Sequence, residues 1–245
     1  MAETVLITGG SRGIGATTAV AFAKAGYTVA INYVNNKDKA QAVLKEVQAC
    51  GAKCMTVQGD VGDYQAALRV VSEVVNEQGA IDVLINNASI KRDNPISEMS
   101  EEDYDAVMQI NTKGPWQMIK HTVSENPANH PMRIINISSG TGIVGKGDQV
   151  NYAMSKFAVN GLTLSMAKEL GPKGITVNAV APGLTMTDMT SYVTEEGKQR
   201  RLEDIPLGRI GTTQDIADAC VFLASPQASF INGQILPVNG GVHSA

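Results

Sequence analysis

The sequence predicts a doubly wound α/β fold, one domain with seven parallel strands and helices on both faces of the sheet. Three observations carry that expectation. The apolar run Thr4 to Ile7 passes through Thr8-Gly9-Gly10-Ser11-Arg12-Gly13-Ile14-Gly15 into the alanine-rich segment Ala16 to Ala25, and a strand, a glycine turn and a helix start in that order open a βαβ unit. Strand-like and helix-like runs then alternate over the whole of 1–245, with no linker, low-complexity block or internal repeat between them. Arg133 to Ile137 is almost continuously apolar, which suits a strand buried on both faces of a parallel sheet.

Each element follows from local pattern. After the first helix, Thr28 to Tyr33 reads as a strand, Lys39 to Ala49 as an amphipathic helix, and Cys54 to Gln58 as a strand ending at Gly59-Asp60-Val61. Tyr64 to Glu77 is helical, and Asp82 to Ile85 is a strand that opens into Asn86-Asn87-Ala88-Ser89. Ser100 followed by Glu101, Glu102 and Asp103 signals a helix start, a capping hydroxyl with acids in the first turn. Asn111 falls inside that helix, where asparagine has poor propensity. Beyond the strand Arg133 to Ile137 stand Ser138 and Ser139, and a helix begins near Asn151. Ile175 to Val180 is the sixth strand, Thr212 to Ala224 a helix and Gln234 to Val238 the last strand. The stretch 186–208, polar from Asp188 onward, reads as a mobile helical lid, with Met186, Met189 and Tyr192 as candidate pocket residues.

Composition narrows the function classes. With 20 Lys and Arg against 24 Asp and Glu, a net charge of −4 and no basic stripe, the chain is not expected to bind nucleic acid. Its apolar runs are too short for a bilayer, and the N-terminus enters a strand without a cationic leader. Cys50, Cys54 and Cys220 form neither a paired framework nor a zinc ligand set. No metal site and no membrane contact are expected, and a reducing cytoplasm is.

Two stretches carry chemistry. Glycines between a strand and a helix let a dinucleotide pyrophosphate approach backbone N–H groups at the positive helix end. Tyr152 and Lys156, at i and i+4, share one helix face about 5–6 Å apart at Cβ. An ammonium there favours the phenolate of a group whose reference pKa is near 10, so the phenol can give a proton to a carbonyl oxygen or take one from an alcohol.

Thr8-Gly-x-x-x-Gly13-Ile14-Gly15, Asn86-Asn87-Ala88, Tyr152-x-x-x-Lys156 and Ala181-Pro182-Gly183 occur in that order over the whole chain. Together they resemble the short-chain dehydrogenase/reductase family, closest to its 3-oxoacyl-acyl-carrier-protein reductase and glucose dehydrogenase branch. The resemblance implies a single-domain Rossmann fold and a catalytic set of Asn111, Ser139, Tyr152 and Lys156. Ser139 is selected because the family serine lies thirteen residues before the tyrosine, and Asn111 matches an asparagine that kinks its helix and holds a water in the proton path. The cofactor would be held by Gly9, Ser11, Arg12, Gly13, Ile14 and Gly15 at the phosphates and by Asp60 and Val61 at the adenine. Asn87 and Ala88 would support it from the fourth strand. Tyr152 and Lys156 would face the ribose, and Pro182, Gly183 and Thr187 the carboxamide. Tyr33 occupies the place of the acid that marks NAD-binding relatives, and Arg12 matches the cation that grips a 2′-phosphate, so NADPH is favoured, with NAD possible. The chain departs from the pattern at Ser89, where glycine is usual, and at Val34, where several NADP-dependent relatives carry arginine. The implied function is a carbonyl reductase acting on a ketone, a 3-oxoacyl thioester or an aldehyde. A glucose-type sugar dehydrogenase is the alternative within the class. A catalytically idle NADP-binding sensor is the alternative outside it, marked by a missing tyrosine or lysine. A homotetramer is implied, and the two arginines with which relatives dock acidic carrier proteins are matched by His130 and Lys173.

Overall fold

The computed structural model describes residues 2–187, 197 and 202–242. Seven strands form one sheet in the order β3-β2-β1-β4-β5-β6-β7, with every pairing parallel. They are β1 (Thr4–Ile7), β2 (Thr28–Tyr33), β3 (Cys54–Gln58), β4 (Val83–Asn86), β5 (Arg133–Ile137), β6 (Thr176–Pro182) and β7 (Ile235–Val238). Between them run α1 (Gly13–Lys24), α2 (Lys37–Ala49), α3 (Tyr64–Gln78), α4 (Glu101–Met108), α5 (Gly114–Glu125), the single turn α6 (Thr141–Val144), α7 (Val150–Leu170) and α8 (Thr213–Ala224). The expected doubly wound fold is the observed one.

Alternation along the strands divides the core. Val5, Ile7, Val29, Ile31, Ile85 and Ile137 point to the side covered by α1, α2 and α8, where Phe22, Val43 and Ile216 are buried. Leu6, Ala30, Leu84, Ile134 and Val177 point to the other side, against Val70 and Val74 of α3, Met118 of α5 and Leu170 of α7. With both faces covered, the strands read as apolar runs.

The chain winds outward from β1 in one direction through β2 and β3, and in the other through β4 to β7. The two directions part between β1 and β4, and a doubly wound sheet binds ligands at the carboxyl ends of its strands at that switch point. Two buried asparagine pairings support that edge. Asn86 Nδ2 donates to Asn136 Oδ1 at 2.8 Å, and Asn136 Nδ2 to Thr163 Oγ1 of α7 at 2.9 Å. Asn32 Nδ2 donates to Gly59 O at 2.9 Å, joining the ends of β2 and β3.

Two elements differ from expectation by more than two residues or in kind. Helix α1 starts at Gly13 rather than Ala16, because Ala16 N already donates to Arg12 O at 3.2 Å and closes the first turn. The segment expected as one helix around Asn111 is interrupted by a π-helical turn, Gln109–Lys113, where Gly114 N donates to Gln109 O. Pro115 follows and lacks the N–H that an α-helical ladder would aim at the Asn111 carbonyl. The proposed lid lies mostly outside the described residues, as do Met189 and Tyr192; Met186 is exposed and Thr187 partly buried.

Among the described residues no helix is long and apolar enough to cross a membrane, and no group of His, Cys, Asp or Glu is placed to hold a metal. The three cysteines are unpaired, and burial pushes the Cys54 and Cys220 thiols up to about 12.

Candidate active site

Thr8 closes β1 and ties the glycine turn to β4. Its Oγ1 accepts from Asn87 N at 2.9 Å and Ala88 N at 3.0 Å, while Asn87 Nδ2 donates to Thr8 O at 2.9 Å and Gly9 O at 3.1 Å. The fit leaves no room for side chains. A Cβ on Gly15 would stand 2.6 Å from both Asn87 Nδ2 and Gly9 O, and one on Gly9 would stand 2.9 Å from Ala88 Cα with φ already at +62°.

The start of α1 suits an anion. Its N-cap is Arg12, with extended backbone and no side-chain capping bond, and its first turn carries no acid. Side chains of Asp63, Ser100 and Thr212 cap α3, α4 and α8, while α2, α5, α6 and α7 share with α1 the lack of such a cap. The first N–H groups of a helix lack partners within it and carry its positive dipole end. The Gly9-to-Gly15 turn, with Ser11 partly buried, Arg12 exposed and Ile14 packed on the core, therefore fits a dinucleotide phosphate. The loop after β6 comes up against it: a Cβ on Gly13 would meet Thr187 Cγ2 at 3.6 Å. There Pro182 ends the strand, Gly183 N donates to Val238 O at 3.0 Å, and Thr185 Oγ1 donates to Gly183 O at 3.2 Å.

At the neighbouring strand ends, Tyr33 is buried, 6 % exposed, and supplies no carboxylate where a ribose acid would sit. Asp60 Oδ1 accepts from Gly62 N at 2.8 Å, and Asp63 caps α3. Val61 is buried in the α3–α5 core and its carbonyl accepts from Gln117 Nε2. Ser89, the departure from glycine, has a buried Oγ with no partner among the described residues.

Across the switch point the side chains of β5 and α7 take over. Lys156 is buried, and its Nζ donates to Ile137 O at 2.8 Å, two residues before Ser139. Burial alone lowers its ammonium to about 8. The same Nζ stands 5.6 Å from the centre of the Tyr152 ring. The two neighbouring serines differ in use. Ser138 Oγ donates to Asn160 Oδ1 at 2.7 Å and is committed to structure, whereas Ser139 Oγ accepts from Thr141 N at 3.2 Å, using a lone pair rather than its hydroxyl proton. Asn111, buried on the π turn, clasps Ile90 through both its backbone groups, at 2.8 Å to N and 2.9 Å to O, and donates to Ser155 Oγ at 3.1 Å. Ser155 Oγ in turn donates to Tyr152 O at 2.7 Å. Asn111, Tyr152 and Lys156 thus share one hydrogen-bonded and packed neighbourhood at the carboxyl edge, with Ser139 on the adjoining loop.

His130 and Lys173 lie elsewhere. They precede β5 and β6, at the amino edge of the sheet opposite the site, and His130 Nε2 pairs with Asp82 Oδ1 at 2.9 Å. Sequence reading passed over the buried asparagines of β2, β4 and β5, although a polar residue inside an apolar strand run was a usable signal. It also passed over Lys91, whose Nζ stands 5.4 Å from the Tyr152 ring centre.

Comparison with known proteins covers the chain almost from end to end. The family model described as "Enoyl-(Acyl carrier protein) reductase" matches residues 9–243. The chain is 44% identical over 243 residues to the 3-oxoacyl-acyl-carrier-protein reductase FabG of Staphylococcus aureus, covering 99% of each. Among solved structures, a dehydrogenase/reductase from Sinorhizobium meliloti superposes with a TM-score of 0.94 at 37% identity, over 100% of this chain and 96% of that one. A blue fluorescent protein from a metagenomic library, solved in complex with NADPH, superposes with a TM-score of 0.92 at 34% identity, over 99% and 98%. The chain belongs to the short-chain dehydrogenase/reductase family, oxidoreductases that interconvert C=O and CH–OH groups, and within it to the 3-oxoacyl-acyl-carrier-protein reductase branch.

Proposed function

We propose that the chain is an NADPH-dependent carbonyl reductase acting on a ketone, a 3-oxoacyl thioester or an aldehyde, with the thioester as its natural substrate. The observation that carries this reading is the Tyr152 ring 5.6 Å from the buried Lys156 ammonium, on the strand edge that also holds the uncapped start of α1. The name of the Staphylococcus aureus relative supports the substrate class, and the NADPH-bound neighbour supports the cofactor.

Gly9, Ser11, Arg12, Gly13, Ile14 and Gly15 would hold the phosphates, Arg12 the 2′-phosphate beside Tyr33, and Asp60 and Val61 the adenine. Asn87, Ala88, Tyr152 and Lys156 would hold the nicotinamide ribose, and Pro182, Gly183 and Thr187 the carboxamide. When bound, the cofactor supplies the hydride. Ser139 donates a hydrogen bond to the carbonyl oxygen, and Tyr152 gives that oxygen its proton as negative charge develops. Lys156 keeps a cation beside the phenolate that remains. Asn111 would hold a water in the proton path, as its family counterpart does. Oxidation of NADPH is screened over acetoacetyl thioesters, diketones, aldehydes and aldoses, with NADH in parallel. Preferred turnover of the thioester with NADPH is the expected result. Sugar oxidation with NADP outpacing every reduction would overturn it.

We also infer a homotetramer. Trp116, 42 % exposed, lines a groove of about 850 Å3 with Met108, Thr112 and Leu162, and Phe157 and Leu164 are exposed on α7. Exposed apolar patches of this kind mark protein contacts. A monomer in sedimentation equilibrium at micromolar concentration would overturn this assignment.

A further inference from the structure

Besides Lys156, a second charged side chain lies over the Tyr152 ring. Lys91 lies five residues beyond the end of β4, and its Nζ is 5.4 Å from the Tyr152 ring centre against 5.6 Å for Lys156. The ring therefore has two ammonium groups at nearly equal distance, one from its own helix and one from a loop of another strand.

The loop is held in place from several directions. Asn111 binds both backbone groups of Ile90, Asn151 Nδ2 donates to Arg92 O at 2.9 Å, and Gln149 Nε2 donates to Asp93 Oδ2 at 2.6 Å. Lys91 pairs with that same Asp93 oxygen at 3.2 Å, and its side chain is 16 % exposed. Arg92 turns instead to Asp103, at 3.6 Å.

We propose that Lys91 is a positioning residue, a second cation that stabilises the phenolate form of Tyr152. This rests on the reading of Tyr152 as the proton donor. A cation within about 6 Å of an aromatic ring is attracted by its π system, and an opposite charge at about 4–6 Å favours the ionised form of a titrating group. In the reduction the bound cofactor would supply the hydride for the new C–H bond, while the Tyr152 O–H bond would break and the alcohol O–H bond form. The tyrosine is left negative between two ammonium groups. Among the described residues, the charged groups over the ring are Lys156 from α7 and Lys91 from the β4 loop. Asp93 partly offsets Lys91, and Asp103 is engaged by Arg92. A structural lysine and an electrostatic one make different predictions, because Lys91 and Asp93 must then act on the phenol with opposite sign.

The test is an ultraviolet difference titration of tyrosinate on the full chain. Each protein is compared with its Tyr152→Phe counterpart, which isolates one of the six tyrosines. Lys91→Gln should raise the midpoint by about one pH unit. Lys91→Arg should restore it to near the wild-type value, and Asp93→Asn should lower it. In acetoacetyl-coenzyme A reduction, the alkaline fall of kcat/KM should move up in Lys91→Gln and down in Asp93→Asn. A midpoint unmoved in Lys91→Gln, or moved the same way in both variants, would overturn the proposal. So would a change confined to KM, which would assign Lys91 to substrate. The titration needs no substrate. A chain that reduced no carbonyl yet gave this order of midpoints would keep the Lys91 assignment and lose the function proposed above.

Discussion

The two halves of the candidate site are made of different material. On the β1 side the functional atoms belong to the backbone, and glycines shape the site by what they lack. Gly15 has no space for a Cβ, and the start of α1 has no capping side chain. On the β5–α7 side the functional atoms are side chains held by hydrogen bonds and burial, with Lys156 fixed by Ile137 O and Asn111 by Ile90. The backbone half should therefore fail when atoms are added. The side-chain half should fail when single atoms are removed without a change of volume. Each prediction below can break that division or sharpen it.

The largest effect belongs to Tyr152→Phe, which deletes one oxygen. Turnover should fall by roughly a hundred- to ten-thousand-fold, the range for loss of a general acid, while NADPH affinity stays within about two-fold. Steady-state kinetics and cofactor titration decide it. Substantial residual turnover would show that another acid serves and that the side-chain half is not the chemical one.

Lys156 gives the side-chain half a signature in stability. Burial lowers its ammonium from 10.5 to about 8. Between those values the unfolded chain binds the proton and the folded chain does not, so stability due to this group rises with pH across about 8 to 10.5 and the penalty is largest below 8. Relative to Lys156→Met, the wild type should gain up to about 3 kcal/mol over that window. The variant comparison cancels the thiols of Cys54 and Cys220, whose raised values act with the opposite sign above 9. Urea unfolding at several pH values would show it. Parallel curves would mean that Lys156 is solvated in the folded protein.

The backbone half is tested by Gly15→Ala. Its methyl would sit 2.6 Å from Asn87 Nδ2 and Gly9 O, and overpacking of this kind costs about 1–3 kcal/mol. NADPH affinity and Tm should both drop. Gly147→Ala, where no atom lies within 4 Å and φ is ordinary, is the matched control and should leave both unchanged. Equal behaviour of the two variants would remove the argument that the cradle is shaped by absent side chains.

The same division decides what was legible in the sequence. Thr28 to Tyr33 and Arg133 to Ile137 have the strand limits that their apolar patterns set, because burial on both faces fixes them, and the half-buried edge strand Cys54 to Gln58 has its expected limits too. Tyr152 and Lys156 were legible because four residues on a helix are neighbours whatever surrounds them. The π turn at Asn111 was not, since it depends on Pro115 downstream and on Ile90, twenty-one residues upstream. The Asn86–Asn136–Thr163 chain and the approach of Lys91 to Tyr152 were hidden for the same reason. These are contacts between distant segments, and no periodicity reports them. His130 and Lys173, which match the carrier-docking arginines of relatives, lie at the amino edge of the sheet, opposite the candidate site.

The smallest effect sharpens the boundary between the halves, because Arg12 is a side chain in the backbone half. It caps α1 by position only; its backbone is extended, its side chain makes no capping bond, and it is exposed. Tyr33, 6 % exposed at the end of β2, supplies no carboxylate to repel a 2′-phosphate there, and Asp38 lies farther on, exposed in α2. A charge-assisted contact from an exposed arginine to a phosphate is worth about 1–2 kcal/mol, roughly a five- to thirty-fold change in affinity. Arg12→Ala should therefore weaken NADPH by that factor and NADH hardly at all, with Tm unchanged. The NADPH loss should shrink as salt rises, since the contact is solvent-exposed. Titrations of both cofactors at low and moderate salt would check it. Equal losses for NADPH and NADH would mean that Arg12 serves the pyrophosphate or the turn itself, and that selectivity is set by residues other than the one exposed cation of the glycine loop.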